Sequence, residues 1–381
     1  MNGRRWAWAE VDLHALDHNV RMIRDIVAPA AVWAVVKADG YGHGAPAVAA
    51  QALSSGAAGL CVALAQEGVE LRQAGIDAPI LVLSEQPAEQ VGDMLAAGLT
   101  PTVYSTAYVD AVAAVASKAS PCDVHVNVDT GMQRVGAKPA DAAALVAHAR
   151  QFEPHVRVAA VYTHLACADD PTSPANAAQL DSFASVLDEL DERGLRPVGT
   201  HAANSAGALA HPASRFDMVR AGIAIYGISP GPGVDHLTRD LRPVLSLRAR
   251  VSLVKRVAAG TRISYGWRHA FERDTTVATV PIGYADGVPR RLGTLSDRPG
   301  ADVLIGGRRC AIVGVVTMDQ LMVDVGDADV QVGDEVVLIG RQGEHTIRTE
   351  EWAQRLDTIG YEIVCGISSR VPRVLRPSRS P

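Results

Sequence analysis

A lysine followed by a glycine-rich turn stands out in the segment VVKADGYGHG, residues 35–44. Lys37 ends an apolar run, and Tyr41 follows it in a turn that holds three glycines. Burial of an amine at the end of a strand is costly and lowers the pKa of the amine, which favours condensation with an aldehyde to form an imine. The spacing also fits a lysine that leaves a strand and reaches solvent, so both interpretations stay open on this segment alone.

Two other segments set polar side chains among apolar ones. Arg220 lies inside the apolar run MVRAGIAIYG, residues 218–227, where an ordinary surface arginine would be out of place. Asn204 and Ser205 precede the stretch AGALA and are typical of a helix N-cap.

The elements that must position these residues alternate between short apolar runs and helical stretches. The apolar runs that predict strands include residues 31–37, 58–63, 79–84, 122–129 and 156–164. Their lack of polar alternation is typical of strands buried on both faces of a parallel sheet. Strand–helix units of about 25 residues between positions 30 and 230 leave room for eight, the number that closes a β/α barrel whose mouth would hold Lys37. An open, doubly wound sheet fits the same periodicity.

The pattern changes near residue 241. PVLSLRARVSLVKR, residues 243–256, alternates like half-exposed strands, and short apolar segments with glycine turns follow it. One helical stretch, RTEEWAQRLDTIG, interrupts them. We therefore predict an α/β plus β protein: an N-terminal (β/α)8 TIM-like barrel over residues 1–240 and a C-terminal all-β domain over residues 241–381. The first ten or so residues are free to pair with the second domain.

Composition limits the classes of function. The chain has 381 residues, of which 48% are apolar, and a formal net charge of −6, which argues against nucleic acid as a partner. The five cysteines lack metal-ligand spacing, so we expect buried thiols, a reducing compartment and no metal. The sequence shows neither a signal-peptide pattern nor an apolar run of about 20 residues, which predicts a cytoplasmic protein without a membrane partner.

Nine short segments, taken in chain order over about positions 6 to 374, resemble the alanine racemase family. The first, KADGYGHG, resembles the family's pyridoxal-phosphate lysine segment. The others are VDTGMQRVG (128–136), THLACAD (163–169), HAANSAGAL (201–209), MVRAGIAIYG (218–227), ISYG (263–266), GYADG (283–287), TMDQ (317–320) and RVPR (370–373).

The resemblance implies a barrel that binds pyridoxal 5'-phosphate and a C-terminal β-domain. It also implies a head-to-tail homodimer in which the partner's β-domain completes each active site. The implied activity is the interconversion of L- and D-alanine, which serves D-alanine biosynthesis and the cell wall. The alternative is a racemase of broader specificity that also accepts serine or larger amino acids.

The resemblance assigns the cofactor to a set of barrel residues. Lys37 would hold the aldehyde, Tyr41 would bind the phosphate, and Arg220 would face the ring nitrogen. Because an arginine donates hydrogen bonds and does not lose its proton, the ring nitrogen would stay unprotonated and withdraw electrons less strongly, which suppresses transamination. The remaining cofactor contacts are expected from Leu83, Asn204, Ser205, Gly222, Ile223 and Ser369.

Racemisation needs one proton-transfer group on each face of the α-carbon. By resemblance, Lys37 serves the D face and Tyr265 of the partner subunit serves the L face. A free phenol has a pKa near 10 and is a poor base at neutral pH, so nearby positive charge is needed. His164 would orient the phenol and would itself be backed by Arg220.

The substrate carboxylate is assigned, again by resemblance, to Arg134 and to the backbone N–H of Met318 from the partner subunit. Arg134 would also contact the cofactor's phenolic oxygen, and Tyr284 would narrow the entrance.

Two positions depart from the family pattern. Asn127 stands where many relatives carry a carbamylated lysine, so either its amide bonds Arg134 directly or an anion such as chloride bridges the two. Ser369 stands where many relatives carry a tyrosine, which leaves space beside the β-carbon of the substrate. Because an extra methylene discriminates by only about 1–3 kcal/mol, this space predicts racemisation of serine alongside alanine.

The sequence argues against two other classes of protein. A decarboxylase of the same architecture would need glycine-rich and cysteine-containing motifs that we do not recognise here, and Arg220 is the wrong partner for deep carbanion stabilisation. A non-catalytic pyridoxal-phosphate carrier would stop near the end of the barrel, whereas this chain continues and supplies Tyr265 and Met318.

Overall fold

The computed structural model describes residues 5–117 and 121–376, which form two compact units. The barrel unit is Leu16–Arg242, and the β unit is the described part of Met1–Ala15 together with that of Pro243–Pro381. Among the described residues, no helix combines the length and the apolar composition that crossing a membrane requires.

Eight parallel strands form the barrel unit's sheet. They are β2 (Ala31–Val35), β3 (Gly59–Val62), β4 (Ile80–Val82), β5 (Thr100–Val103), β6 (Cys122–Asn127), β7 (Val156–Tyr162), β8 (Gly199–His201) and β9 (Met218–Ala221). Their order is β8-β7-β6-β5-β4-β3-β2-β9. The first and last strands of this order, β8 and β9, are connected by two backbone hydrogen bonds. The Asp217 N–H donates to the carbonyl of Thr200 (3.1 Å), and the Arg220 N–H donates to the carbonyl of Ala203 (3.0 Å). The predicted barrel is therefore confirmed over the open doubly wound sheet.

The helices that accompany these strands are α1 (Leu13–Val27), α2 (Lys37–Gly42), α3 (Ala45–Ser54), α4 (Ala65–Gln73), α5 (Val91–Ala96), α6 (Thr106–Val115), α7 (Pro139–Arg150), α8 (Pro174–Glu192) and α9 (Ser205–Ala210). Helix α1 precedes β2, and the other helices lie between successive strands along the chain. Their starts carry the expected signals: Ser105 caps α6 through a bond from Tyr108 N–H (3.2 Å), and proline begins α7 and α8.

The apolar composition of the barrel strands matches their burial. Every residue of β3 and β4 is buried, as expected for a parallel sheet covered by helices. Polar side chains are nevertheless buried on the later strands, among them His125, His201 and Arg220. Buried polar groups of this kind require partners, and those partners define the site described below.

The β unit is built on a ten-stranded sheet. Its strands are β1 (Ala7–Asp12), β10 (Leu245–Arg250), β11 (Leu253–Val257), β14 (Thr275–Val280), β15 (Asp302–Ile305), β16 (Arg308–Val313), β17 (Leu321–Gly326), β18 (Glu335–Gln342), β19 (His345–Ile347) and β20 (Arg373–Arg376). The order is β11-β14-β17-β16-β15-β18-β10-β1-β20, with β19 on β18. β1 pairs antiparallel with β10 and parallel with β20, so a strand from the start of the chain lies within this sheet.

The rest of the β unit comprises a small sheet and two helices. β12 (Arg262–Ile263) pairs with β13 (His269–Ala270). The predicted helix near the C-terminus is α10 (Thr349–Leu356), whose Trp352 is fully buried in the core. A second short helix, α11 (Gly360–Cys365), was not predicted.

Candidate active site

A left-handed turn follows strand β2. The strand ends at Val35, two residues before the predicted end, and Lys37 begins α2. The four residues from Ala38 to Tyr41 all have φ between 52° and 61°. For residues with a Cβ atom this conformation costs about 1–2 kcal/mol each, so contacts from elsewhere must hold the turn.

Two carboxylates supply those contacts. Glu67 accepts the Ala38 N–H at 2.6 Å with one oxygen and the Ala63 N–H at 2.8 Å with the other. Asp39 accepts the Ala45 N–H at 2.8 Å, which ties the turn to the start of α3. The backbone next to Lys37 is thereby fixed to the loop that follows β3.

Tyr41 is the last of these four residues and is buried beside the last barrel strand. Its ring lies against that of Tyr226, with ring centroids 5.0 Å apart, and the Tyr226 hydroxyl donates to the carbonyl of Val35 at 2.9 Å. A Cβ atom added to Gly222 would lie 2.7 Å from the Tyr41 hydroxyl. The tyrosine hydroxyl and the Gly222 backbone are therefore direct neighbours.

Ser205 joins the same cluster. Its hydroxyl accepts the N–H groups of Gly222 (2.8 Å) and Ala224 (3.3 Å), while Asn204 caps α9 by accepting the Gly207 N–H at 2.9 Å. Ile223, between the two N–H donors, is fully buried. The structure thus brings Tyr41, Asn204, Ser205, Gly222 and Ile223 together into a polar cradle.

Arg220 is buried and points its guanidinium at neutral acceptors. These are Nδ1 of His201 (2.5 Å), the carbonyls of Thr163 (2.9 Å) and Ala202 (3.1 Å), and Nδ1 of His164 (3.1 Å). Within residues 5–117 and 121–376, no carboxylate pairs with it. Burial lowers the pKa of Arg220 from its ordinary value. A buried cation without a counter-ion is costly, so an anionic or electron-rich ligand would stabilise it.

The donors of Arg220 determine where the imidazole protons lie. Because a guanidinium only donates, Nδ1 of His164 and of His201 must accept, and each ring carries its proton on Nε2. His201 then donates from Nε2 to Nδ1 of His125 at 3.1 Å. Burial, reinforced by the charge of Arg220, lowers the pKa of His164 to about 3 and that of His201 well below its usual range. All three rings are neutral at neutral pH, because burial also lowers the pKa of His125 to about 4.

The Nε2–H group of His164 is left without an acceptor among the described residues. Its neighbour at 3.5 Å is the amide nitrogen of Asn204, which is itself a donor because the Asn204 oxygen already accepts the Gly207 N–H. The charges of Arg220, Arg134 and Lys37 all lower the pKa of His164, so the ring lies in the field of three cations. The group is thus a neutral hydrogen-bond donor in a positive environment.

Tyr162 connects this network to Leu83. Its ring stacks on His201, with centroids 4.4 Å apart and an interplanar angle of 8°. Its hydroxyl accepts from Thr102 (2.9 Å) and donates to the carbonyl of Leu83 (3.2 Å). Burial raises the pKa of Tyr162 to about 12, so it remains a phenol. Leu83 is therefore held half-buried at the end of β4.

A small cavity lies beside Arg134. It is lined by Asn127, Val128, Asp129, Met132, Arg134, Val135, Thr163 and His164. Asn127 is 5% exposed, yet neither its amide nor the exposed Arg134 guanidinium makes a hydrogen bond or ion pair within the described chain. The direct bond between these two side chains is therefore not formed.

Four predicted site residues belong to the β unit and are exposed. Tyr265, Tyr284 and Met318 are 70%, 43% and 52% exposed, and Ser369 is also exposed. The segments of Tyr284 and Met318 are linked, since the Tyr284 N–H donates to the carbonyl of Thr317 at 3.0 Å.

Sequence reasoning gave no role to several residues that build the barrel site, namely Glu67, His125, Tyr162, His201 and Tyr226. A signal existed for His125, which shares a strand face with Asn127 two positions later. Glu67 sits three residues after Leu64 in a helix-start pattern. Tyr162 carries no local signal, because its partners lie far away in the sequence. His201 and Tyr226 do stand in the segments HAANSAGAL and MVRAGIAIYG.

Two family models match the chain. One is described as "Alanine racemase, N-terminal domain" and matches residues 11–230, and the other as "Alanine racemase, C-terminal domain" and matches residues 244–375. Together they cover both units.

Individual proteins match over nearly the full length. An alanine racemase of Symbiobacterium thermophilum is 48% identical, over 98% of each chain. The crystal structure of an alanine racemase from Streptomyces lavendulae is 39% identical, with a TM-score of 0.92 over 99% of this chain and 98% of that one. A histidine racemase of Leuconostoc mesenteroides is more distant, at 27% identity and a TM-score of 0.90 over 98% of this chain and 99% of that one.

Proposed function

This chain belongs to the alanine racemase family, and we propose that it interconverts L- and D-alanine with pyridoxal 5'-phosphate as its cofactor. The observation that carries the proposal is Arg220, a buried guanidinium bonded to neutral imidazoles and carbonyls and to no carboxylate among the described residues. Such a group donates a hydrogen bond to a ring nitrogen without protonating it. That property favours return of a proton to the α-carbon over transamination.

The barrel residues fit this cofactor. Tyr41, Ser205 and the Gly222 backbone form the polar cradle for the phosphate, and only a glycine at 222 leaves the Tyr41 hydroxyl its place. The charges of Lys37, Arg134 and Arg220 around His164 complement an anionic cofactor and a substrate carboxylate. When bound, pyridoxal phosphate supplies an aldehyde that condenses with an amine and withdraws electrons from the adjacent α-carbon.

Lys37 and Tyr265 of the partner subunit are the two proton-transfer groups of the proposal. The Lys37 amine removes the α-proton on the D face, and the phenol of Tyr265 of the partner subunit delivers a proton on the L face. The reverse reaction exchanges the roles. Each turnover leaves a proton on one group and removes one from the other, and solvent restores the starting state.

His164 supports the phenol in this scheme. Its Nε2–H group has no acceptor among the described residues and suits a developing phenolate oxygen. Because the ring is neutral, its contribution is a hydrogen bond, while the surrounding cations contribute the positive field. Arg220 keeps the ring in the donor tautomer from the other side.

The substrate contacts and the homodimer are part of the same proposal. Arg134 and the backbone N–H of Met318 of the partner subunit hold the carboxylate, and Tyr284 of the partner subunit narrows the entrance. The exposure of Tyr265, Tyr284 and Met318 on the β unit supports a second copy as the group they face. All five cysteines are free, which supports a reducing compartment such as the cytoplasm.

Two measurements on purified protein test the proposal. Visible absorbance shows whether the cofactor binds, and loss of optical rotation from L-alanine shows racemisation. Bound cofactor with stable optical rotation would refute the activity and leave the carrier hypothesis.

Broader substrate specificity remains the second candidate. It is supported by the small, exposed Ser369 and by the similarity to a histidine racemase over nearly the whole chain. Steady-state kinetics over a panel of amino acids separates it from a strict alanine racemase.

A further inference from the structure

Asp286 is a fully buried carboxylate in the β unit. One oxygen lies 2.6 Å from the guanidinium of Arg5 and 3.4 Å from Nε of Arg370, and the other accepts the Gly283 N–H at 3.0 Å. Arg5 also donates to the carbonyl of Arg370. A buried charge is tolerated only when it is paired and hydrogen-bonded, so these contacts belong together.

The turn that carries Asp286 touches two other segments through its backbone. The N–H groups of Tyr284 and Ala285 donate to the carbonyls of Thr317 and Met318, each at 3.0 Å. On the other side, the carbonyl of Asp286 accepts the Ser368 N–H at 3.1 Å. Residues 283–287 therefore lie between residues 317–318 and residue 368.

Arg370 closes a ring around these three segments. While its Nε faces Asp286, its Nη2 lies 2.7 Å from a carboxylate oxygen of Asp319. We call Asp286, Arg370 and Asp319 the carboxylate bridge. The ring runs from Asp286 through Arg370 to Asp319, and returns through the bond between Met318 and Ala285.

Three of the β-unit residues proposed for the substrate site lie beside members of this bridge. Tyr284 precedes Asp286 by two residues, Met318 precedes Asp319, and Ser369 precedes Arg370. All three are exposed, whereas Asp286 is completely buried. The buried carboxylate of Asp286 thus links three exposed residues that belong to separate segments of the chain.

We propose that Asp286 is a positioning residue that, through Arg370 and Asp319, sets the mutual placement of Met318, Tyr284 and Ser369 for substrate binding. The inference rests on the proposed function, which assigns those three residues to the substrate site. Loss of the bridge lets the three segments shift independently. The carboxylate contact of Met318 weakens as a result, which raises KM for alanine more than it lowers kcat.

Three variants each remove a different part of the carboxylate bridge. Asp286→Asn removes the buried charge but keeps an acceptor for Gly283. Asp319→Asn removes only the exposed end, and Arg370→Lys cannot span both carboxylates. The matched control is Asp327→Asn, which breaks the exposed 2.7 Å ion pair with Arg256 in the same unit. Cofactor absorbance, KM, kcat and amide hydrogen exchange are measured for each holoenzyme.

We expect Asp286→Asn to raise KM for alanine about 10-fold with kcat changed less than about 3-fold, and the other two variants to raise KM about 3-fold. Cofactor absorbance should not change. Peptides covering residues 283–288, 317–320 and 367–371 should exchange faster together. The control should match the wild type.

The proposal is overturned if Asp319→Asn and Arg370→Lys show the KM of the control, even when Asp286→Asn does not fold. It is also overturned if KM rises while the three peptides keep their exchange rates. Should the wild type fail to racemise alanine, the proposed function fails instead. Hydrogen exchange then still tests the bridge, because independent exchange of the three peptides contradicts it.

Discussion

Nη2 of Arg220 lies 3.1 Å from Nδ1 of His164, and this contact settles which imidazole nitrogen carries the proton. A guanidinium has no acceptor, so the His164 proton must lie on Nε2, on the far side of the ring. One arginine thereby performs two tasks. It presents a donor that does not release its proton, and it leaves the Nε2–H group of a neutral histidine as a hydrogen-bond donor.

Replacing Tyr265 by Phe should separate the two faces of the α-carbon. The variant lacks the L-face group, so racemisation should fall by at least about 10³-fold. In deuterated water, α-deuterium should still enter D-alanine through Lys37 but not L-alanine, as measured by NMR. Equal exchange into both enantiomers would contradict the assignment.

Acidification should destabilise the protein through its buried histidines. A neutral histidine with a lowered folded pKa binds its proton only after unfolding, so its stabilisation is complete above pH 6.5 and is lost as the pH falls towards the folded pKa. For His125, with a folded pKa of about 4, the loss is on the order of 3 kcal/mol. His164 destabilises the protein in the same way over a wider range of pH, because its folded pKa is about 3.

Urea unfolding between pH 8 and pH 5 measures this loss. The free energy of unfolding should decrease steadily below pH 6.5, and His125→Gln should reduce the slope by up to one proton, about 1.4 kcal/mol per pH unit. If the free energy of unfolding of the wild type does not change down to pH 5, the histidines are not buried in their neutral form.

Gly222→Ala should weaken cofactor binding. Its Cβ atom would lie 2.7 Å from the Tyr41 hydroxyl and would displace a predicted phosphate contact. We expect the apparent Kd for pyridoxal phosphate, measured by absorbance titration, to rise about 10-fold or more. The control is Gly92→Ala in helix α5, where an added Cβ atom meets nothing within 4 Å. Unchanged affinity in Gly222→Ala would remove this turn from the phosphate site.

The assignment of the small Ser369 to the surroundings of the substrate predicts that serine is racemised at a measurable rate. Ser369→Tyr puts a larger side chain there and should lower kcat/KM for serine relative to alanine by about 10-fold, which corresponds to about 1.4 kcal/mol. The check is the ratio of the two kcat/KM values in wild type and variant. A wild-type rate with serine at background would rule out the broader specificity assigned to this position.

Halide should affect substrate binding through the cavity of Asn127 and Arg134. The hypothesis of a bridging anion predicts that KM for alanine falls when chloride replaces gluconate at constant ionic strength. Asn127→Asp supplies a fixed negative charge and should abolish this dependence. If KM of the wild type for alanine does not change with chloride, no halide bridges Asn127 and Arg134.

The sequence alone was sufficient for the family and for five of the eight barrel strands, namely β2, β3, β4, β6 and β7. Runs such as residues 58–63 are apolar at every position, and this composition is a local property that predicts a strand buried on both faces. Lys37, Tyr41 and Arg220 are recognisable because each stands in a distinctive short segment. The change to alternating patterns near residue 241 lies next to Pro243, where the second part of the β unit begins.

Tertiary structure decided how these residues are held. The left-handed turn after Lys37 depends on Glu67, which lies 30 residues further along the chain, and the His164 tautomer depends on Arg220 from another strand. The buried Asp286 pairs with Arg5 and Arg370, which lie near opposite ends of the sequence. Local patterns encode which backbone conformation a segment prefers, whereas hydrogen-bond partners and proton positions arise only when distant segments meet in a space from which water is excluded.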